Sequence, residues 1–263
     1  MLTFVSVKEI KVDIIGSGNV ASHLASIFMF HKIKVCNIYS RNFDNAKEIA
    51  LKNNIQQASN IEKIGLESDI IFLAVADDAI EKISKLLIVE DAIIVHCSGI
   101  ANTEVLKARS KNYGCFYPLQ TFTKNHPVDF SQIPVLITGS NETTVNTLKN
   151  LANLISLKVE VITDVQRQKL HLAAVIVNNF TNHLFTLSSN YLAKNEINFD
   201  LLKPLIQETV NKISVKKPKE NQTGPAKRND TSTIEKHFSL IEDEDLKEIY
   251  KILTKSIFDT HNG

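Results

Sequence analysis

Over its first 162 residues the chain alternates short apolar runs with stretches of helical spacing. The runs Val12–Ile15, Ile33–Tyr39, Asp69–Val75, Ala92–His96, Tyr113–Tyr117, Pro134–Thr138 and Val159–Ile162 read as strands, with a weaker one near Ile55–Ala58. Ile70-Ile71-Phe72-Leu73 is apolar without alternation, as in a strand covered on both faces of a parallel sheet. Between the runs, Ala21, Leu24, Ala25 and Phe28 recur at helical spacing, as do Val145, Leu148, Leu151, Ala152 and Ile155. Further helices are expected over Asn45–Asn53 and from Ala79, the latter with Asp77 or Asp78 as its cap or, alternatively, as a catalytic group. This alternation predicts an α/β fold with a Rossmann-type, mostly parallel sheet.

After Thr163 no strand pattern remains. Asp164 opens a helix expected to run to about Lys194, roughly 45 Å long. Leu170–Val177 is apolar nearly all round, so this helix is expected to be central and buried. Asp200 is placed as the cap of a helix over Leu201–Ile213, and Asp245–Phe258 forms the last helix. The expected division is therefore an α/β domain over residues 1–163 and an all-α domain over 164–263.

The first strand runs into Gly16-Ser17-Gly18-Asn19-Val20-Ala21, a G-x-G-x-x-A turn followed by a helix. Gly16 suits the tight turn, Gly18 leaves room for a diphosphate, and Ala21 lets helix and strand approach. The helix N-terminus adds unpaired N–H groups and the positive end of its dipole. Gly16, Ser17, Gly18, Asn19 and Val20 are therefore the expected cofactor cradle. At the end of the second strand, an NAD-binding corner would carry an acid for the ribose hydroxyls. Here stand Ser40, Arg41 and Asn42, donors suited to a 2′-phosphate, which favours NADP; the alternative is an arginine solvated at a turn. In open α/β sheets ligands lie beyond the carboxyl ends of the strands, which places Val75, Ala76 and Ser98 near a nicotinamide.

In the long helix, His171, Asn178 and Asn182 are spaced i, i+7 and i+11, which on an α-helix puts them on one face. The stripe is either a structural hydrogen-bond seam or a substrate-facing surface, with His171 as proton donor and Asn178 orienting the substrate. Gln120 and Thr121, after Pro118, either face the cleft or satisfy loop backbone. Thr223–Asp230, with Gly224-Pro225 and Arg228, is either a basic linker or part of a substrate site.

Composition narrows the classes. The chain has 263 residues, 43% of them hydrophobic, enough for a sizeable core, and a net charge of +1 that recruits neither nucleic acid nor anionic membrane. Its three cysteines, Cys36, Cys97 and Cys115, lack metal-ligand spacing and suit a reducing compartment. No leader pattern or membrane-length apolar run is present, so a cytoplasmic protein is expected, with no metal, membrane or nucleic-acid partner.

Ile15-Gly16-Ser17-Gly18-Asn19-Val20-Ala21, Ser40-Arg41, Ala74–Ile80, His96-Cys97-Ser98-Gly99, Pro118–Phe122 and Thr223–Asp230 occur in that order. Together they resemble the poorly characterised NADP oxidoreductases that join a Rossmann domain to a helical domain of unknown function. The N-terminal half is also similar to pyrroline-5-carboxylate reductases, deazaflavin-dependent NADP oxidoreductases and β-hydroxyacid dehydrogenases. The resemblance implies an NADP-binding domain and an all-α domain that often dimerises, hence a homodimer through the helical domain. One departure stands out. β-Hydroxyacid dehydrogenases carry a catalytic lysine one helical turn before an asparagine of the interdomain helix, whereas Ala174 and Val175 precede Asn178 and Asn179, and Lys169 is out of register. The small-residue and proline signature of pyrroline-5-carboxylate reductases is also missing. The expectation is an NADP-dependent oxidoreductase acting on a small polar ketone, imine, hydroxy or amino compound in the interdomain cleft. The rival readings are a non-catalytic NADP(H) sensor or scaffold and a deazaflavin-dependent reductase.

Overall fold

The computed structural model describes residues 10–57, 60–89 and 91–263. Among the described residues eight strands form one sheet: β1 (Lys11–Ile15), β2 (Lys34–Tyr39), β3 (Gln56–Gln57), β4 (Ile70–Leu73), β5 (Ile93–His96), β6 (Tyr113–Pro118), β7 (Val135–Gly139) and β8 (Val159–Val161). Helices α1 (Asn19–Phe30), α2 (Phe43–Asn53), α3 (Asp77–Ser84) and α4 (Glu142–Asn153) connect them. The order across the sheet is β3-β2-β1-β4-β5-β6-β7-β8. All neighbours are parallel except β6 and β7, which pair antiparallel with Tyr117 opposite Leu136 and Cys115 opposite Thr138. The order reverses at β1 and β4, the switch point where Rossmann folds bind dinucleotides.

The central strands alternate between two apolar layers, as their two-residue period requires. Val12, Ile14, Ile70, Phe72 and Val95 pack with Leu24, Phe28 and Leu148 on one face. Ile15, Ile71, Leu73 and Ile94 pack with Ile80 and Tyr113 on the other. Asp13 breaks the apolar run yet is fully buried. Its carboxylate accepts bonds from Asn37 N (2.8 Å), Asn37 Nδ2 (3.1 Å), Gly65 N (2.8 Å) and Ser68 Oγ (2.9 Å). The charge is thus met by four donors, and the same four bonds tie β1 to β2 and to the loop before β4.

Contacts divide the chain after Asn178. The first unit therefore includes α5 (Asp164–Ala174) and most of a π-helical turn, Val175–Phe180. The rest is helical: α6 (Thr181–Lys194), α7 (Lys203–Ile213), α8 (Pro218–Asn221), α9 (Pro225–Arg228), α10 (Thr231–Leu240) and α11 (Glu244–Asn262).

Several sequence expectations need correction. Asp77 and Asp78 do not cap α3: Ala76 holds the cap position without a side-chain bond, and both acids lie in the first turn, facing the helix dipole favourably. Asp200 is not a cap either; the Asn198 side chain accepts from Asp200 N, at the head of a short 3-10 turn before α7. The cap of α10 is Asp230, which accepts from Thr233 N at 3.1 Å. Of the weak strand near Ile55–Ala58, Gln56 and Gln57 pair with β2, and Ala58 lies outside the described residues. The apolar stretch Leu170–Val177 is not buried within the single chain, for Leu172 is 61% and Val177 70% exposed. Apolar character all round shows that a helix needs cover; it does not show that the cover belongs to the same chain.

Candidate active site

Beyond the carboxyl ends of β1, β2, β4 and β5 lies a cavity of about 510 Å³. Its wall includes Gly16, Ser17, Gly18, Asn19 and Val20 from the first turn, Ser40 and Arg41 from the second, and Val75, Ala76 and Cys97. Gly16 has φ +130°, and a Cβ there would fall 2.1 Å from Ala74 O, so the turn admits only glycine. Gly18 is different: a Cβ would meet nothing within 4 Å, which leaves bare backbone facing open space. No side chain caps α1, and its first turn carries no acid. The amides at this helix start are thus available to an anion.

At the β2 corner the Ser17 and Ser40 hydroxyls lie 2.9 Å apart, and Ser40 Oγ accepts from Asn42 N at 3.3 Å. Among the described residues no acid pairs with the exposed Arg41. Asn42 spends its side-chain oxygen capping α2 through Asn45 N. Asn19 donates to Phe122 O at 2.7 Å, which fastens the loop after β6 to α1. Open backbone at Gly18, an uncapped helix start and a free guanidinium fit a phosphorylated dinucleotide.

A second group of side chains forms where α5 crosses β6. Tyr117 Oη and His171 Nδ1 lie 3.0 Å apart, and the two rings meet edge to face. Burial pushes the Tyr117 phenol above its usual range, with smaller upward effects from Cys115 and Asp77 and a downward one from Arg167. The phenol therefore keeps its proton at neutral pH and can donate to Nδ1. The ring of His171 rests on Gly99.

Beneath this pair Arg167 is fully buried. Its Nη1 bonds Asp164 Oδ1 at 2.6 Å and Thr138 Oγ1 at 3.0 Å, and its Nη2 donates to Ala101 O. Asp164 Oδ2 also accepts Thr103 N (2.8 Å) and Thr103 Oγ1 (2.9 Å). Burial alone would raise the Asp164 pKa, but the Thr103 bonds and the guanidinium outweigh it and hold the carboxyl below its usual range. His96, at the end of β5, is also fully buried. Burial, and then the Arg167 cation, push its pKa down to about 3, so it is neutral near pH 7.

The structure distributes the remaining expected site residues differently. Ser98 is buried, and its hydroxyl accepts from Ile100 N and Ala101 N, closing the turn after β5. Gln120 and Thr121 are exposed, with the Gln120 side chain accepting from Thr121 N. Asn178 is exposed and lies within the π-helical turn Val175–Phe180, which begins four residues after His171. The α-helical spacing that would align the two does not hold across such a turn. In the second unit, Asn182 and Arg228 are exposed. Sequence reading missed Tyr117 and Arg167. The first lies inside a strand run, and the second is one of many charges at i+3 from an acid.

A Rossmann sheet with an open glycine turn at its switch point suits a dinucleotide cofactor. Comparison with known proteins agrees. Residues 11–99 match the family described as NADP oxidoreductase, coenzyme F420-dependent, and residues 133–257 match a domain of unknown function, DUF2520. BF3122 from Bacteroides fragilis, provisionally named an NADP oxidoreductase, is 33% identical over 95% of this chain and 98% of its own, with a TM-score of 0.88. The chain belongs to this family of NADP oxidoreductases, in which an F420-type NADP domain precedes a DUF2520 domain. The family is NADP-dependent. Two more distant likenesses show the fold alone. A reductive aminase from Aspergillus terreus, in complex with NADPH and ethyl levulinate, is 14% identical with a TM-score of 0.70, covering 97% of this chain and 95% of its own. A pyrroline-5-carboxylate reductase from Coxiella burnetii is 13% identical with a TM-score of 0.57, covering 95% of this chain and 97% of its own. No curated protein matches the chain. Among the described residues no helix is long and apolar enough to cross a membrane.

Proposed function

We propose that this chain uses NADP to interconvert a small polar ketone or imine with the corresponding hydroxy or amino compound. The residues at the switch point would hold the cofactor. Amides of Gly16–Val20 take the diphosphate, Ser40 and Arg41 take the 2′-phosphate, and Val75, Ala76 and Cys97 border the nicotinamide end. When bound, the nicotinamide supplies or accepts the hydride. The chain's own contribution is the proton: the Tyr117 phenol delivers it to the substrate heteroatom, His171 Nδ1 holds the hydroxyl in place beforehand, and the phenolate left behind takes a proton back from solvent. The 3.0 Å contact between Tyr117 Oη and His171 Nδ1, at the carboxyl end of β6, carries this reading.

The test is NADPH oxidation against a panel of ketones, the same ketones with an amine, and an oxidised deazaflavin. Turnover of at least one carbonyl or imine, lost in Tyr117→Phe while NADPH binding persists, is the expected result. Tight NADPH binding with no turnover across the panel would instead favour a cofactor sensor.

The same reading includes a homodimer through the helical domain. Among the described residues from 179 onward, Ala226 alone is buried, while Leu205, Val210, Ile213 and Ile252 are all more than half exposed. Helices that bury so little lack the packing that stabilises them in water. Sedimentation at micromolar concentration should give twice the chain mass, and a monomer there would reject the dimer. Three free, buried cysteines suit a reducing, cytoplasmic setting.

A further inference from the structure

We propose that Asp164, Arg167 and Gly99 are positioning residues for the Tyr117–His171 pair: the ion pair sets how high α5 sits on the sheet, and Gly99 is the seat of the His171 ring. The inference rests on the proton-transfer reading only for its purpose, since the contact itself can be measured without substrate.

The geometry matches rung by rung. Arg167 is fastened to Thr138, and Thr138 lies opposite Cys115 on β6. Tyr117 is two residues further along β6, a rise of roughly 6.6 Å. His171 is four residues beyond Arg167 on the same helix face, a rise of roughly 6 Å. One helical turn therefore spans the same distance as two strand residues. An anchor at the level of Thr138 brings the next residue on that face level with the phenol. Asp164 completes the anchor by holding both Arg167 and Thr103, the latter 61 positions from Asp164 in sequence.

A buried ion pair is a poor source of net stability, because desolvation offsets most of its attraction; fixing register is the better-attested use. The guanidinium serves that use here, since its planar fork reaches Asp164, Thr138 and Ala101 in three fixed directions. Gly99 supplies the other constraint. A Cβ at that position would lie 2.4 Å from His171 Nδ1, 2.5 Å from Cγ and 3.0 Å from Cβ. Any side chain there must drive the imidazole off its place, and Nδ1 is the atom that meets Tyr117.

The experiment reads imidazole 15N resonances in protein labelled at histidine, with the His171 Nδ1 signal assigned by its loss in His171→Gln. Tyr117→Phe defines the signal of a ring without its phenol partner. Gly99→Ala is expected to reproduce that signal, and adding Tyr117→Phe to it should change nothing more. Arg167→Lys, which keeps the charge and loses the fork, should move the same resonance part of the way. A purely structural role predicts a lowered melting temperature with His171 at its wild-type position. That result in either variant overturns the corresponding assignment. A Tyr117→Phe signal identical to wild type would overturn the whole, there being no contact to hold. If the resonances move as expected but Tyr117→Phe turns over substrate normally, the positioning stands and the proton-transfer reading falls.

Discussion

The two ends of the proposed site in the first unit are built in opposite ways. The phosphate end is local: Gly16 to Val20 are consecutive, and Ser40 and Arg41 close the next strand. On the proposed reading, open backbone, a helix start and the exposed Arg41 would do the binding. The proton end is assembled from far-apart residues. Tyr117 and His171 are separated by 54 positions, and Arg167 reaches back 66 to Ala101. It rests on a fully buried cation and a fully buried histidine. The first end depends on backbone shape, and the second on the register of one helix against one strand. Substitutions should therefore fail differently at the two ends.

The largest separation is expected from Tyr117→Phe and His171→Ala. Removing a positioned proton donor should lower kcat about 10²–10⁴-fold. Stopped-flow NADPH binding should be nearly unchanged, because neither residue lines the phosphate cradle. A parallel fall in cofactor affinity would erase the contrast.

Acid should act on the proton end next. His96 is neutral in the fold with a pKa of about 3, below that of an unfolded histidine. The unfolded chain then binds more protons between about pH 6.5 and 3, so stability declines as pH falls through that window and levels off below it. The full effect is roughly 4–5 kcal/mol at most. Asp164 adds to the decline at the low end, since its depressed pKa gives stability present above the unfolded value and lost as pH falls through the folded one. Urea titrations of wild type and His96→Asn should differ in slope across pH 4–6, and equal slopes would deny that His96 is held neutral.

At the phosphate end, two glycines should separate folding from binding. Gly16→Ala should lower the melting temperature of the cofactor-free protein, since its Cβ strikes Ala74 O in a left-handed backbone. Gly18→Ala meets no protein atom, so that melting temperature should hold while NADPH affinity drops. Thermal melts with and without NADPH read both. The smallest effect is on cofactor choice. Arg41→Ala should narrow the preference for NADPH over NADH by about ten- to a hundredfold, the worth of one charge-assisted bond of ~1.5–3 kcal/mol. Equal affinities in the wild type would remove the 2′-phosphate assignment.

The same contrast explains what could be read from sequence. Strands such as Ile70–Leu73 and the glycine turn announce themselves, because their signals lie within a few residues. Arg167 and Tyr117 carry no such signal. An arginine three residues after an aspartate is usually a solvated pair, and a tyrosine in an apolar run looks like core. Their roles depend on which strand neighbours which, a property of the whole sheet. His171 was visible as a polar residue on an apolar helix, but its partner was not. The π-helical turn after Ala174 leaves no mark in composition, so an aligned stripe from His171 to Asn178 was expected where the backbone does not keep α-helical spacing.

The reversed strand β7 has a consequence for how the site can be approached. It descends from the ligand edge, with Val135 beside Pro118 and Gly139 beside Gly114, and β8 follows in the same direction. The chain thus leaves the sheet at the edge remote from the cofactor, and α5 has to climb back toward it. Had β7 run with its neighbours, the helix would start at the ligand edge and lead away, carrying its second turn out of range. The heading of a five-residue strand decides that a histidine two turns into a helix arrives beside Tyr117, at the carboxyl end of β6, instead of departing from it.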